Sequence, residues 1–326
     1  MVAVSDVGGS TADPTPLMVS VIVPVRNAPE RIRKCLEGLC AQTYPPDRYE
    51  VIVVDNGSAD GTPDVARSYA VKVLVEDAVT SPYAARNAGI AVAEGSVLAF
   101  TDANCVPAPD WLARGVAALE SSDADLAGGR VLFAFSGRRS IGELADAVMN
   151  VDVEASIADH AACMTGNLFV RRRVIEAVGP FESHLRSGGD MRWTRKASDA
   201  GFKLVYVGDA VVRYPARPLA ALLGKQYRVG RGAPGVWAAF GYGRLRMAQR
   251  ALRGLLPPPP CGFSERCRRR LGRTGGVLAA RVWLTVWLCK VVRSIGNLRG
   301  LADGSAGGSR GSRVETAGGR AVGGAS

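Results

Sequence analysis

The chain has 326 residues, 47% of them hydrophobic, with seven cysteines and only two histidines. That length suits one large α/β domain or two modest ones, and the scattered, odd-numbered cysteines exclude a disulfide framework or a CxxC zinc site and suit a reducing compartment. The net charge of +11 is unevenly placed: residues 213–326 carry 21 lysines and arginines against three acids, the first 212 carry 20 against 27, so any anionic partner belongs to the C-terminal third.

Residues 1–17 are small and polar, with no basic stretch leading into an apolar one, and read as a disordered lead instead of a signal peptide. Residues 19–25 form a continuous apolar run, as in a strand buried on both faces. Residues 28–39 place Ile32, Leu36 and Leu39 at helical spacing. A second buried strand spans 51–54 and ends at Asp55-Asn56-Gly57-Ser58. A helix over 63–69, a strand over 71–75, a helix over 83–93 and a strand over 96–100 follow. This βαβαβαβ alternation predicts a doubly wound, mostly parallel sheet. Arg26-Asn27, Asp55-Asn56 and Asp102-Asn104 all fall just past C-terminal strand ends, the edge where open α/β sheets bind ligands.

Beyond residue 126 the pattern loosens. Strands are expected over 129–135, 167–170, 203–207 and 210–214, with helix over most of 141–162 and over 172–178 and 191–200. This half would complete the sheet and build an acceptor cleft. Residues 257–260, four prolines, read as a stiff linker, and the Gly/Ser/Ala-rich residues after about 301 as a disordered tail.

Over residues 277–298 a helical wheel puts Trp283, Leu284, Trp287, Leu288, Val291, Ile295 and Leu298 on one arc. Arg281, Thr285, Cys289, Lys290, Arg293 and Asn297 occupy the other. Three cations in about 20 residues argue against a spanning helix. Two readings stay open: a helix lying in a membrane interface on its tryptophan-bearing face, or one packed onto the domain with a solvated basic face.

The segments 21–27, 53–62, 85–90 and 100–105, followed by Pro109-Asp110-Trp111-Leu112, occur in order and together resemble family 2 glycosyltransferases of the GT-A fold. The resemblance covers roughly residues 19–232. It implies an α/β GT-A domain over 18–235, followed by a basic helical region over 236–300 and a tail over 301–326. It also implies inverting transfer from a nucleotide-sugar donor to a glycan or lipid-linked acceptor. Pro24 and Arg26 match the loop over the base and ribose. Asp55, beside Asn56, matches the base-binding acid; a carboxylate suits a uracil, thymine or guanine N–H, although the same residues make a turn unaided. Arg86 matches a basic residue near the diphosphate, and Arg228 and Arg231 the basic segment after the last sheet element. Thr165, Gly166 and Asn167 match the acceptor pocket.

Asp102 matches the first acid of the metal motif, so Asp102 and Asn104 would hold Mg2+ or Mn2+ against the donor diphosphate. Here an amide replaces the usual second carboxylate, and Tyr214 stands where relatives often carry a histidine ligand. Asp190 matches the catalytic base, with Gly189 in place of a glutamate; an N-cap role for Asp190 is the alternative. The expected setting is the cytoplasm, peripheral at the inner face of the cell membrane, with no nucleic-acid partner. The rival reading, resting on Asn104, Tyr214 and Gly189, is a degenerate homologue that binds nucleotide-sugar or a partner without transferring.

Overall fold

The computed structural model describes residues 16–149, 152–185, 187–272 and 275–307. Valine- and isoleucine-rich runs build its centre. β1 (Val19–Val25), β2 (Tyr49–Asp55), β3 (Lys72–Val75) and β4 (Val97–Thr101) lie parallel in the order β3-β2-β1-β4. They are linked by α1 (Pro29–Cys40), α2 (Thr62–Arg67) and α3 (Pro82–Val92). Alternation along β2 divides the two faces. Val51 and Val53 join Ile32, Leu36 and Leu39 of α1, whereas Ile52 and Val54 join Ala85 of α3. Helices thus cover both faces of a parallel sheet, as the alternation predicts.

Past β4 the sheet continues through β7 (Asn167–Arg171), β6 (Leu126–Ala134), β8 (Leu204–Pro215) and the short edge strand β5 (Val106–Pro107). β7 runs antiparallel to β4 and β6, β6 and β8 are parallel, and β5 is antiparallel to β8. The parallel order therefore belongs to the first half, and the second half is mixed. α4 (Trp111–Ser121) links β5 to β6. The helix expected over 141–162 is two, α5 (Ile141–Met149) and α6 (Val153–His160), and α7 (Arg172–Val178) and α8 (Gly189–Asp199) lie where helices were predicted.

The two strands expected over 203–214 are one. A bulge absorbs the break, with Gly129 paired to Val207 and Arg130 to Val211. Asn167 braces this bulge. Its Nδ2 donates to the carbonyls of Arg130 and Ala210 at 3.0 and 2.8 Å, and its Oδ1 accepts the Trp111 indole N–H at 2.8 Å.

The C-terminal third is helical: α9 (Leu219–Ala239), α10 (Arg244–Arg253), α11 (Pro260–Leu271) and α12 (Gly276–Gly307). A second apolar cluster joins Leu144 and Val148 of α5 to Leu222, Phe263, Val282, Val286 and Cys289. α12 lies tightly along α9. A Cβ at Gly230, Gly296 or Gly300 would collide with the backbone carbonyls of Arg293, Tyr227 and Arg231, respectively. Glycine is what lets the two backbones approach so closely.

Two expectations are corrected here. The tail does not begin at 301, because α12 continues to Gly307, held by Asp303 to Arg231 and Arg299 at 2.7 and 3.2 Å; residues 308–326, like 1–15 of the lead, lie outside the described residues. Of the two readings of α12, the helix packed with a solvated basic face is the one overturned. Small and polar Cys289, Ser294 and Asn297 are buried, whereas Leu284, Leu288 and Ile295 are 52, 44 and 52% exposed. At the glycine seam only small side chains fit, while Val282 and Val286 pack inward further toward the start of the helix. Trp283 and Trp287 face the loop between α10 and α11, donating to the carbonyls of Pro258 and Leu255 at 2.9 and 2.8 Å. The proline segment is therefore pinned to α12.

Candidate active site

A cleft of about 810 Å3 opens at the C-terminal edge of the parallel strands. Of the residues singled out in the sequence, Pro24, Arg26, Asn56, Arg86, Asp102, Asn104, Gly166, Asp190 and Arg228 line it. Asp55, Asn167 and Arg231 do not. Asp55 is 2% exposed, and its carboxylate accepts the Ser58 N–H at 3.0 Å together with the Ser58 hydroxyl. It shapes the turn after β2. Asn167 is committed to the bulge, and Arg231 of α9 pairs with Asp303 of α12.

The loops at the rim are clasped together. Asn27, in the left-handed region at φ 47°, receives an Ala59 N–H on Oδ1 at 2.8 Å, and its own N–H donates to Ser58 Oγ at 2.8 Å. Asn56 ties the floor to the segment after β3 by donating to the Glu76 and Val79 carbonyls at 2.7 and 2.9 Å.

At the centre, Arg86 of α3 is buried and donates to Asp102 Oδ1 at 2.7 Å, while the Asp102 side chain stays 40% exposed. A Cβ on Gly166 would meet Asp102 Oδ2 at 3.4 Å, so glycine leaves that oxygen approachable from the cleft. Asp190 sits in the first turn of α8. Its Oδ1 accepts the Met191 N–H at 2.9 Å and the Tyr83 hydroxyl at 3.2 Å, and its Oδ2 accepts the Thr165 N–H at 3.4 Å. Burial pushes the Asp190 carboxyl above its ordinary value; Asp102 adds to that, and Arg86 and the Met191 and Thr165 N–H groups only partly oppose it. Tyr83 also explains Gly189. Its ring lies 2.8 Å from where a Cβ at 189 would be, and its hydroxyl accepts the Gly189 N–H at 2.9 Å. No side chain fits there, so a glutamate at 189 is sterically replaced by the tyrosine.

Asp102 and Asn104 line the same cleft and offer at most a partial set for a hard cation, one carboxylate shared with Arg86 and one amide carbonyl; among the described residues no group of three or more His, Cys, Asp or Glu could hold a metal. Tyr214 adds no anionic oxygen, since a phenol stays protonated near neutrality. Such a set fits Mg2+ or Mn2+ only when a diphosphate supplies further oxygens.

Tyr83, Arg217 and Lys225 also line the cleft and were not singled out in the sequence; Thr165, expected with Gly166 in the acceptor pocket, lines it too, and so does Arg293, read from the sequence only as part of the basic arc of the C-terminal helix. Lys225 precedes Arg228 by three residues on α9, a helical spacing that places both on neighbouring faces. Arg293 carries no local signal, because it arrives from α12.

Comparison with known proteins agrees with this architecture. The family model described as Glycosyl transferase family 2 matches residues 20–179. Glycosyltransferase AglE of Haloferax volcanii is 41% identical over 288 residues, 86% of this chain and 95% of that protein. The pre-mycofactocin glycosyltransferase of Mycobacterium tuberculosis is 26% identical over 208 residues, covering 61% of this chain and 43% of that one. Among solved structures, the mannosyltransferase PcManGT from Pyrobaculum calidifontis, in complex with GDP-Man and Mn2+, superposes with a TM-score of 0.59 at 22% identity, over 87% of each chain. The fold is thus GT-A, and by its extended match to AglE and to the family model the chain belongs to glycosyltransferase family 2.

Proposed function

We propose that this glycosyltransferase inverts the anomeric centre of a nucleotide-bound sugar as it moves that sugar to a glycan or lipid-linked acceptor. The observation that carries the reading is one cleft in which Asp102, held by Arg86, and Asp190, held by Tyr83 and Thr165, are exposed to the same ligand space. Pro24, Arg26 and Asn56 on the rim would receive the nucleoside, and Arg86 the diphosphate. Asp190 would accept the proton of the acceptor hydroxyl as its oxygen bonds to the anomeric carbon. The bond from that carbon to the phosphate oxygen breaks on the opposite face, and its electron pair leaves with the nucleoside diphosphate. Asp102 and Asn104 would hold Mg2+ or Mn2+, which when bound supplies charge neutralisation to the leaving diphosphate.

Thermal-shift screening of nucleotide sugars and nucleoside diphosphates with Mn2+ tests the donor site. Stabilisation by one nucleotide class is expected, followed by transfer with an inverted anomer in the product. Stabilisation without transfer or hydrolysis would favour the binding-only reading to which Asn104 and Tyr214 point. If no nucleotide stabilises the protein, the assignment fails.

The acceptor side extends the proposal to an anionic membrane surface at the inner face of the cell membrane. No single helix among the described residues is long and apolar enough to cross a membrane. The support is the outward arc of α12, Leu284, Leu288, Ile295 and Leu298, continued on α10 by exposed Leu252 and on the following turn by Leu256. Exposed Arg253, Arg281 and Arg299 lie on the same two helices. Apolar side chains among cations suit anionic headgroups. Leu284→Gln with Leu288→Gln is expected to lower co-sedimentation with phosphatidylglycerol vesicles without changing the melting temperature. Equal sedimentation of both proteins would remove the membrane from the reading.

A further inference from the structure

Charge in the cleft is far from balanced. Among the described residues lining it, seven are basic and two acidic, and one of the acids, Asp102, is already paired with Arg86. The excess collects around Tyr214. The Arg217 guanidinium lies 4.6 Å from the Tyr214 ring centre and Lys225 Nζ 5.8 Å from it, and Arg228 and Arg293 line the same wall. Beneath them Asp146 is fully buried, 3.5 Å from Arg217 and 3.6 Å from Lys225. One carboxylate offsets about one of these charges.

The remaining cations crowd each other away from water. Burial first and Arg217 second push the Lys225 ammonium down to about 8, against the pull of Asp146, and burial likewise lowers Arg217 and Arg293. Holding cations this way costs stability until an anion completes the group. The strand register says where that anion would lie. β5 starts two residues after Asn104 and pairs with β8, Val106 opposite Arg213 and Pro107 opposite Val212. Tyr214 and the cations over it therefore stand beside the segment that carries Asp102 and Asn104.

We propose that Arg217, Lys225, Arg228 and Arg293 form a diphosphate-binding wall that supplies, as side-chain charge, most of the neutralisation of the leaving nucleoside diphosphate. The inference rests on the donor reading above. It gives a divalent cation an accessory part, in keeping with the partial set at Asp102 and Asn104. Guanidinium and ammonium groups suit phosphate oxygens, and their hydrogen bonds to an anion are among the strong ones.

Calorimetric titration with UDP and with GDP, each in Mn2+ and in EDTA, tests this. Wild-type affinity for the preferred nucleotide is expected to persist in EDTA. Lys225→Met, which removes one cation of the wall and leaves Asp146 paired with Arg217, is expected to weaken metal-free binding on the order of tenfold or more. Arg228→Gln, at an exposed position, should weaken it in the same direction and carries the test should the Lys225 variant fail to fold. Binding only in Mn2+ would overturn the wall and leave the donor site standing. Binding in neither condition would instead bring down the donor reading. Inorganic pyrophosphate separates the other source of such an anion, an acceptor phosphate. Competition with the nucleotide is expected, and simultaneous binding would reassign the wall to the acceptor and overturn the proposal.

Discussion

Asp190→Asn is expected to lower transfer by about 10²–10⁴-fold, the usual worth of a positioned base, with nucleoside diphosphate affinity unchanged. The asparagine carbonyl can still accept from Met191 or Thr165, so the first turn of α8 survives. The wild-type pH profile adds an independent check. Because burial raises the folded-state value, the base loses its charge at a higher pH than a free aspartate near 3.9, and the acid limb of the rate moves up accordingly. The same sign governs stability. A raised carboxyl favours the fold while protonated, and that contribution is lost as pH rises through the folded value. The asparagine variant should therefore melt no lower than wild type at neutral pH. Transfer at the wild-type rate, or a profile with an unshifted acid limb, would remove Asp190 from the role of base.

The second large effect is expected from truncation before Gly276. Removing α12 takes Val282, Val286 and Cys289 out of the cluster they share with α5 and Phe263, and Arg293 out of the cleft. Each buried aliphatic side chain is worth about 1.5–3 kcal/mol, a large share of a total stability of about 5–15 kcal/mol. The truncated chain should lose its cooperative melt and its transfer together. Gly296→Leu is the milder companion, since it inserts a side chain where Tyr227 presents its carbonyl. A truncated protein that melts like wild type and still transfers would show that α12 is not integral to the domain.

The first half of the fold was legible because each apolar run of the parallel sheet ends in polar residues at one edge. Arg26, Asn56, Asp102 and Asn104 could be placed on the cleft from that edge alone, whereas Pro24 came with the family resemblance. What strand ends do not reveal is side-chain direction. Asn167 opens β7 but turns its amide onto the bulge of β8, and Asp55 closes β2 but folds back on Ser58. Arg228 and Arg231 sit three residues apart, a rotation that leaves them about 60° apart around the helix, and only the first reaches the cleft. The orientation of α12 stayed open for a different reason. Its amphipathic wheel identifies two faces without saying which one a partner wants, and the partner, α9, has glycine where the helices touch. Backbone proximity selects small residues over apolar ones, so the hydrophobic face was left outside.

Glycine at 230, 296 and 300 has one more consequence, mechanical in kind. At that seam the backbones of α9 and α12 meet with little side chain between them, and close-packed interiors pass strain on instead of absorbing it. Arg293 looks into the cleft from one side of α12 while Leu284, Leu288 and Ile295 look out from the other. A single rod about 10 Å thick thus joins the outer surface to the basic wall of the cleft.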